Sequence, residues 1–182
     1  LNYINLGKLY WALGEKDSAE YYLAKAEKKK VNPNEAVEYF VAQGKVDLDK
    51  KDKSSAKENF KKAKVACKNL INNTPEEPWG YIKLGEIFIA ASQANLSLAD
   101  TPQSASLPNH SVLADSALIR LKIAEFLEDR PYYYGQVLLN LGKAYLEKEI
   151  LDSASFYLQE VLRLPSGYQE KKEATDLLAT LK

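Results

Sequence analysis

His110 is the only histidine and Cys67 the only cysteine among 182 residues. Neither has an acid or a second ligand at a motif spacing, so no nucleophile–base pair and no multi-cysteine zinc site can be written. No His-Glu-x-x-His run and no glycine-rich phosphate loop occurs. His110 reads as a solvated loop residue, and Cys67, within AKVACKNL, as a small buried or half-buried filler. The expectation is no enzyme, no metal and no cofactor.

Lysine is the plentiful charged type. The run Lys45–Lys68 carries nine lysines against four acids, and Lys28–Lys30 precedes it. These lysines fall opposite Ala56, Phe60 and Ala63 and read as a solvated outer face. A single-stranded nucleic acid would want aromatic side chains interleaved with them, and Phe60 belongs to the apolar side. Over the whole chain Lys+Arg 25 equals Asp+Glu 25, whereas a nucleic-acid binder usually shows a basic surplus. No run of about 18 apolar residues exists to span a membrane. Asn72, Asn95 and Asn109 open glycosylation sequons, which matter only in a secretory compartment.

What positions all these residues is a repeated helical pattern. Leu138, Leu141, Gly142 and Tyr145 share one helix face, and after a break at Lys148–Ile150 come Asp152, Ala154, Leu158 and Val161. Tyr3, Leu6, Gly7 and Tyr10, then Gly14, Ala19, Leu23 and Ala26, repeat it. Gly14 should stop the first helix, and Asp17 or Ser18 can cap the next. Pro33 and Asn34 open a worn copy with Phe40, Gly44, Ala56, Phe60 and Ala63, where Gln43 and Asp47 replace the Leu and Tyr. Pro78 opens another with Tyr81, Leu84, Gly85 and Phe88, whose second helix resumes at Asp115-Ser116-Ala117 with Leu121 and Ala124. Ala19 and Ala56 are 37 positions apart, as are Ala117 and Ala154. Helix hairpins of this size bury their apolar faces only by stacking on copies of themselves.

The order aromatic-x-x-Leu-Gly-x-x-Tyr, then Ala-x-x-x-aromatic-or-Leu-x-x-Ala, resembles the tetratricopeptide repeat family. Tyr3, Phe40, Tyr81 and Leu138 stand at the family's tryptophan. The resemblance implies an all-α fold, a right-handed α-solenoid of antiparallel helix pairs, with residues 1–182 as a single array. Its units would run about 1–32, 33–74, 75–130 and 131–167. Helix 169–182, with Ala174, Leu177, Leu178 and Leu181 on one stripe, would cap the end.

About twenty extra residues separate the helices of the third unit, giving an insertion at about 91–112. Ala90–Leu98 can extend the first helix before Pro102 and Pro108 break it. The insertion is either a tolerated surface loop, or its leucines Leu96, Leu98, Leu107 and Leu113 lie on the array and line or fill its groove.

The family's first helices line a concave groove that binds a partner peptide or helix. Beside the core positions, this stripe holds Ile4, Lys8 and Trp11; Val41, Lys45 and Leu48; Ile82, Glu86 and Ile89; and Leu139 and Lys143, flanked by Trp79 and Lys83. The family's clamp for a C-terminal carboxylate needs asparagines and an arginine. Here Ile4, Lys8, Ala42, Trp79 and Lys83 take those places, so that clamp does not transfer.

The function expected is therefore a non-catalytic protein–protein interaction scaffold. The alternative is a regulatory or oligomerisation domain of a larger signalling or enzymatic protein, a possible homo-oligomer. A start at Leu1 inside the pattern and the lack of methionine motivate that alternative, and a single cysteine fits the cytoplasm as compartment. Trp79→Ala and Lys83→Glu are expected to weaken partner capture with little effect on melting temperature.

Overall fold

The structure, a computed structural model, describes residues 2–27, 32–98, 109–127, 131–166 and 168–181, and within them every regular element is a helix. The helices are α1 (Tyr3–Ala12), α2 (Lys16–Glu27), α3 (Pro33–Asp49), α4 (Lys53–Asn73), α5 (Pro78–Gln93), α6 (Asn109–Leu127), α7 (Pro131–Glu147), α8 (Leu151–Arg163) and α9 (Glu170–Ala179). Each packs against its chain neighbour, and α3, α5 and α7 also touch the first helix of the adjoining pair.

Starts and stops follow local chemistry. Asn2 caps α1 by accepting from the Ile4 N–H, and Asn32 with Glu35 forms a reciprocal capping box at α3 beside Pro33. Asp52 caps α4 through the Ser55 N–H. Helix α2 starts at Lys16, so Asp17 and Ser18 sit inside its first turn rather than capping it, because the preceding turn closes one residue earlier than the side chains suggested.

All four first helices end in the same way. Glu15 N–H reaches Tyr10 C=O, Asp52 reaches Asp47, Leu96 reaches Ala91 and Ile150 reaches Tyr145, each at 2.8–3.0 Å. Between them sits one left-handed residue: Gly14 (φ 79°), Lys51 (φ 65°), Asn95 (φ 52°) and Glu149 (φ 57°). This is a Schellman closure, for which glycine is the unstrained choice. Gly14, Lys51 and Glu149 occupy equivalent places, whereas Asn95 comes three residues later, so α5 extends nearly a turn farther past its contact glycine than its counterparts do.

That closure corrects two sequence expectations. Helix α5 stops at Gln93 instead of continuing to Leu98, because the left-handed Asn95 turns the chain back. Leu96, Leu98 and Leu113 then enter the core among Val37, Ala56, Phe60, Ala63 and Leu84, rather than lining a groove. Leu107, Pro102 and Pro108 lie outside the described residues. The backbone of His110 belongs to the first turn of α6 and not to a loop, as a helix resuming just after a proline permits.

The two helices of each pair approach at a glycine. A Cβ built on Gly7 would meet Leu23 at 2.7 Å, on Gly44 Phe60 at 2.8 Å, on Gly85 Leu121 at 2.6 Å and on Gly142 Leu158 at 2.7 Å. Every partner is the same repeated position of the second helix. A second brace lies one turn along. Tyr10 stacks on Tyr22 with ring centroids 5.2 Å apart, and Tyr145 on Tyr157 at 5.5 Å. In the worn copy Asp47 and Asn59 hold those places, and Asn59 Nδ2 donates to Asp47 Oδ2 at 2.8 Å while Gln43 Nε2 donates to Oδ1 at 3.1 Å. A buried hydrogen-bonded acid thus replaces an aromatic stack. Both are acceptable because a buried carboxylate that is fully hydrogen-bonded costs far less than a bare one.

Not every lysine faces outward as the sequence suggested. Lys64 is buried, and its Nζ donates to Leu98 C=O at 2.6 Å, tying α4 to the segment after α5. Cys67 is fully buried in the same core, where burial pushes its thiol up to about 12. Ala154 is also fully buried at the α7–α8 contact. Ala154→Leu should overpack that contact and cost about 1–3 kcal/mol, measurable by urea denaturation; unchanged stability would mean that the helices can separate.

Candidate functional site

The first helices of the pairs bring one face to a common cavity of about 490 Å³. Lys8 and Trp11 reach it from α1, Val41 and Lys45 from α3, Lys83 and Glu86 from α5, and Leu139 and Lys143 from α7. A second hollow of about 730 Å³ shares Lys8, Glu38 and Lys83 with it and adds Trp79 and Tyr133.

The remaining residues of the expected stripe lie elsewhere. Ile4, Ile82 and Ile89 are buried in the cores between neighbouring pairs, and Leu48 packs half-buried against the core of α3, α4 and α5. The cause is helix geometry: a residue three or four positions from a lining lysine rotates toward the adjoining pair. Sequence reading also missed lining residues, namely Glu38, Gln136, Asn140, Gln169, Glu170 and Glu173. Asn140 left a trace, as the one polar residue inside the apolar run VLLNLG. The residues from α9 left none, since the folding-back of that helix is a tertiary event.

Charge in the cavity is organised as a ladder. Lys8 Nζ pairs with Glu38 Oε2 at 2.6 Å, and Lys83 Nζ with Glu38 Oε1 at 2.8 Å. Lys83 pairs again with Glu86 Oε2 at 3.0 Å, and Lys45 with Glu86 Oε1 at 2.6 Å. The ladder therefore runs through α1, α3 and α5. On the facing side Lys143 of α7 pairs with Glu173 of α9 at 2.5 Å. Trp11 Nε1 donates to Asp49 Oδ2 at 2.7 Å, and the Lys45 and Lys83 ammoniums lie 5.9 Å from the Trp11 and Trp79 ring centroids.

Lys83 is the keystone, with its side chain only 8% exposed. Burial pulls its pKa down, but Glu86 and Glu38 outweigh burial and hold it above the ordinary lysine value. Burial pushes Glu86 up, and Lys45 and Lys83 more than reverse that, leaving it well below the ordinary carboxylate range. Glu38 is lowered too, as Lys83 and Lys8 overcome its burial. Lys83→Glu would set a third carboxylate against Glu38 and Glu86, so it tests folding and not partner capture. This corrects the expectation of a near-silent variant.

Stability then follows the ladder. The lowered carboxylates contribute above about pH 4.5, their ordinary value, and that contribution is lost as pH falls below it. The raised Lys83 contributes fully below its ordinary 10.5 and loses this only as pH rises past it. Melting temperature should therefore be flat between those limits, fall on acidification toward pH 3, and fall less steeply in Glu86→Gln. Lys83→Glu should cost about 3–5 kcal/mol at neutral pH, read by chemical denaturation.

Among the described residues no three His, Cys, Asp or Glu side chains lie together as a metal ion would need. No helix among them is long and apolar enough to cross a membrane. Residues 2–28 match the tetratricopeptide repeat family, and no curated protein matches the chain. Repeats of that family generally mediate protein–protein interactions and are usually non-catalytic. The match at residues 2–28 and the succession of packed helix pairs among the described residues together fit a tetratricopeptide-like repeat protein.

Proposed function

We propose that this chain is a non-catalytic scaffold that binds a peptide or helix of a partner protein in the groove formed by the cavity and its adjoining hollow. The observation that carries the reading is the convergence of four first helices on one lined space, with Trp11, Val41 and Leu139 supplying apolar contact inside a rim of charge. Apolar surface rimmed by polar groups is the usual form of a contact site. The units about 1–32, 33–74, 75–130 and 131–167, closed by 169–182, would coil as a right-handed solenoid with this groove on the inner side.

Trp79 lines only the second hollow and pairs with no acid, so Trp79→Ala should weaken capture of partner proteins with little change in melting temperature. Unchanged recovery of the same partners would remove the groove from the reading.

One observation favours self-association as a second reading. Leu9 on α1 and Leu13 at its C-cap are 53% and 62% exposed, at the positions where Val46 on α3 and Lys50 at its C-cap face α2. Sedimentation velocity decides between them: a dimer abolished by Leu9→Lys supports association through α1, and a monomer at all concentrations discards it.

A further inference from the structure

The second hollow, of about 730 Å³, is lined by three aromatic rings from three places: Trp79 in the first turn of α5, Tyr133 in the first turn of α7, and Tyr168 just before α9. Trp79 and Tyr133 are half-buried, each packed on the apolar core behind it, so their rings are held in place. Gly135 of α7 is not one of the glycines at which paired helices meet. A Cβ on it would meet Tyr168 Cδ1 at 2.7 Å and Glu170 Oε2 at 3.1 Å. Its bare backbone lets the Tyr168 ring and the Glu170 carboxylate settle side by side at the wall of the hollow. Lys8 and Lys83 also line this space, and both pair with Glu38, Lys83 with Glu86 as well. Every lysine of the hollow thus has a glutamate, whereas Glu170 makes no ion pair or side-chain hydrogen bond among the described residues.

We infer that this hollow is a site for an organic cation with a methylated ammonium head, its charge met by Glu170 and its methyl groups by Trp79, Tyr133 and Tyr168. The faces of aromatic rings carry negative potential and attract a cation within about 6 Å of the centroid, quaternary ammonium groups above all. The Trp79 ring already draws one cation, the Lys83 ammonium, 5.9 Å from its centroid. A primary ammonium is a compact, strongly hydrated charge, and it would give up that water on entering. A methylated head presents apolar groups to the rings and has less water to lose. A neutral ligand would leave the Glu170 charge unmet, and an anion would be repelled by it. Two sources supply such a head: a free small molecule, or a methylated lysine side chain of a partner. The hollow adjoins the cavity of the groove reading above, and only the second source rests on that reading.

The chain has only two tryptophans, Trp11 and Trp79, so in a Trp11→Phe chain intrinsic fluorescence reports on the hollow alone. Choline and its uncharged isostere 3,3-dimethylbutanol are titrated into that chain with and without Glu170→Gln. Broadening of the choline N-methyl proton signal by the unsubstituted chain is the second readout. The expected result is saturable binding of choline, with affinity about tenfold weaker for the isostere and about tenfold weaker for choline in Glu170→Gln, as removal of one charge from a half-open site implies. Glu170→Gln should leave the isostere's affinity unchanged. A capped peptide carrying trimethyllysine is compared with the same peptide carrying lysine. Tighter binding of the trimethylated peptide than of choline assigns the site to a partner's side chain, and the reverse assigns it to a free small molecule. Choline that binds no tighter than the isostere, Glu170→Gln that binds choline as wild type does, a lysine peptide that matches its trimethylated form, or no binding of any probe overturns the inference. Partner capture in Trp79→Ala tests the groove separately, so that reading survives loss of the cation site.

Discussion

The whole arrangement depends on how closely the two helices of a pair can approach. At Gly7, Gly44, Gly85 and Gly142 a side chain of the second helix occupies the space where a Cβ would stand. With the backbones that close, the leucine or phenylalanine at the contact is fully buried, in a core that the next helices of the chain complete. The adjoining face of each first helix is then left to meet the next pair or to line the cavity. Spacing, core and cavity thus follow from one absent methyl group repeated four times.

Variation is tolerated where it does not disturb that contact. The second pair replaces a tyrosine stack with a hydrogen-bonded Asp47, Asn59 and Gln43, yet Gly44 keeps its contact with Phe60. The third pair carries α5 farther past its glycine and has extra residues before α6, yet Gly85 still meets Leu121. Left-handed lysine and glutamate at Lys51 and Glu149 show the same priority. Local strain of about 1 kcal/mol per residue is accepted to keep the turn that returns the second helix onto the glycine.

The cavity obeys a different logic. Its lysines come from helices far apart in sequence, and each is paired with a glutamate where it lies. A buried charge must be paired, since leaving one alone costs several kcal/mol. The ladder therefore holds α1, α3 and α5 in register while removing net charge from the surface that a partner would meet. The amides of Gln136 and Asn140 line the same surface without a side-chain hydrogen bond among the described residues.

Periodicity determined the helices, the glycine contacts and the repeat pattern, because these depend on residues within one hairpin. It also placed Lys8, Trp11, Val41, Lys45, Lys83, Glu86, Leu139 and Lys143 near a common face, since helical rotation is fixed by spacing. Tertiary structure decided the rest. It sent Ile4, Ile82 and Ile89 into cores between pairs, turned Lys83 from a free cation into a buried keystone, and brought α9 to the cavity. Those outcomes hinge on the angle and depth at which one pair packs on the next. That is set by side chains dozens of residues apart, and no local spacing encodes it.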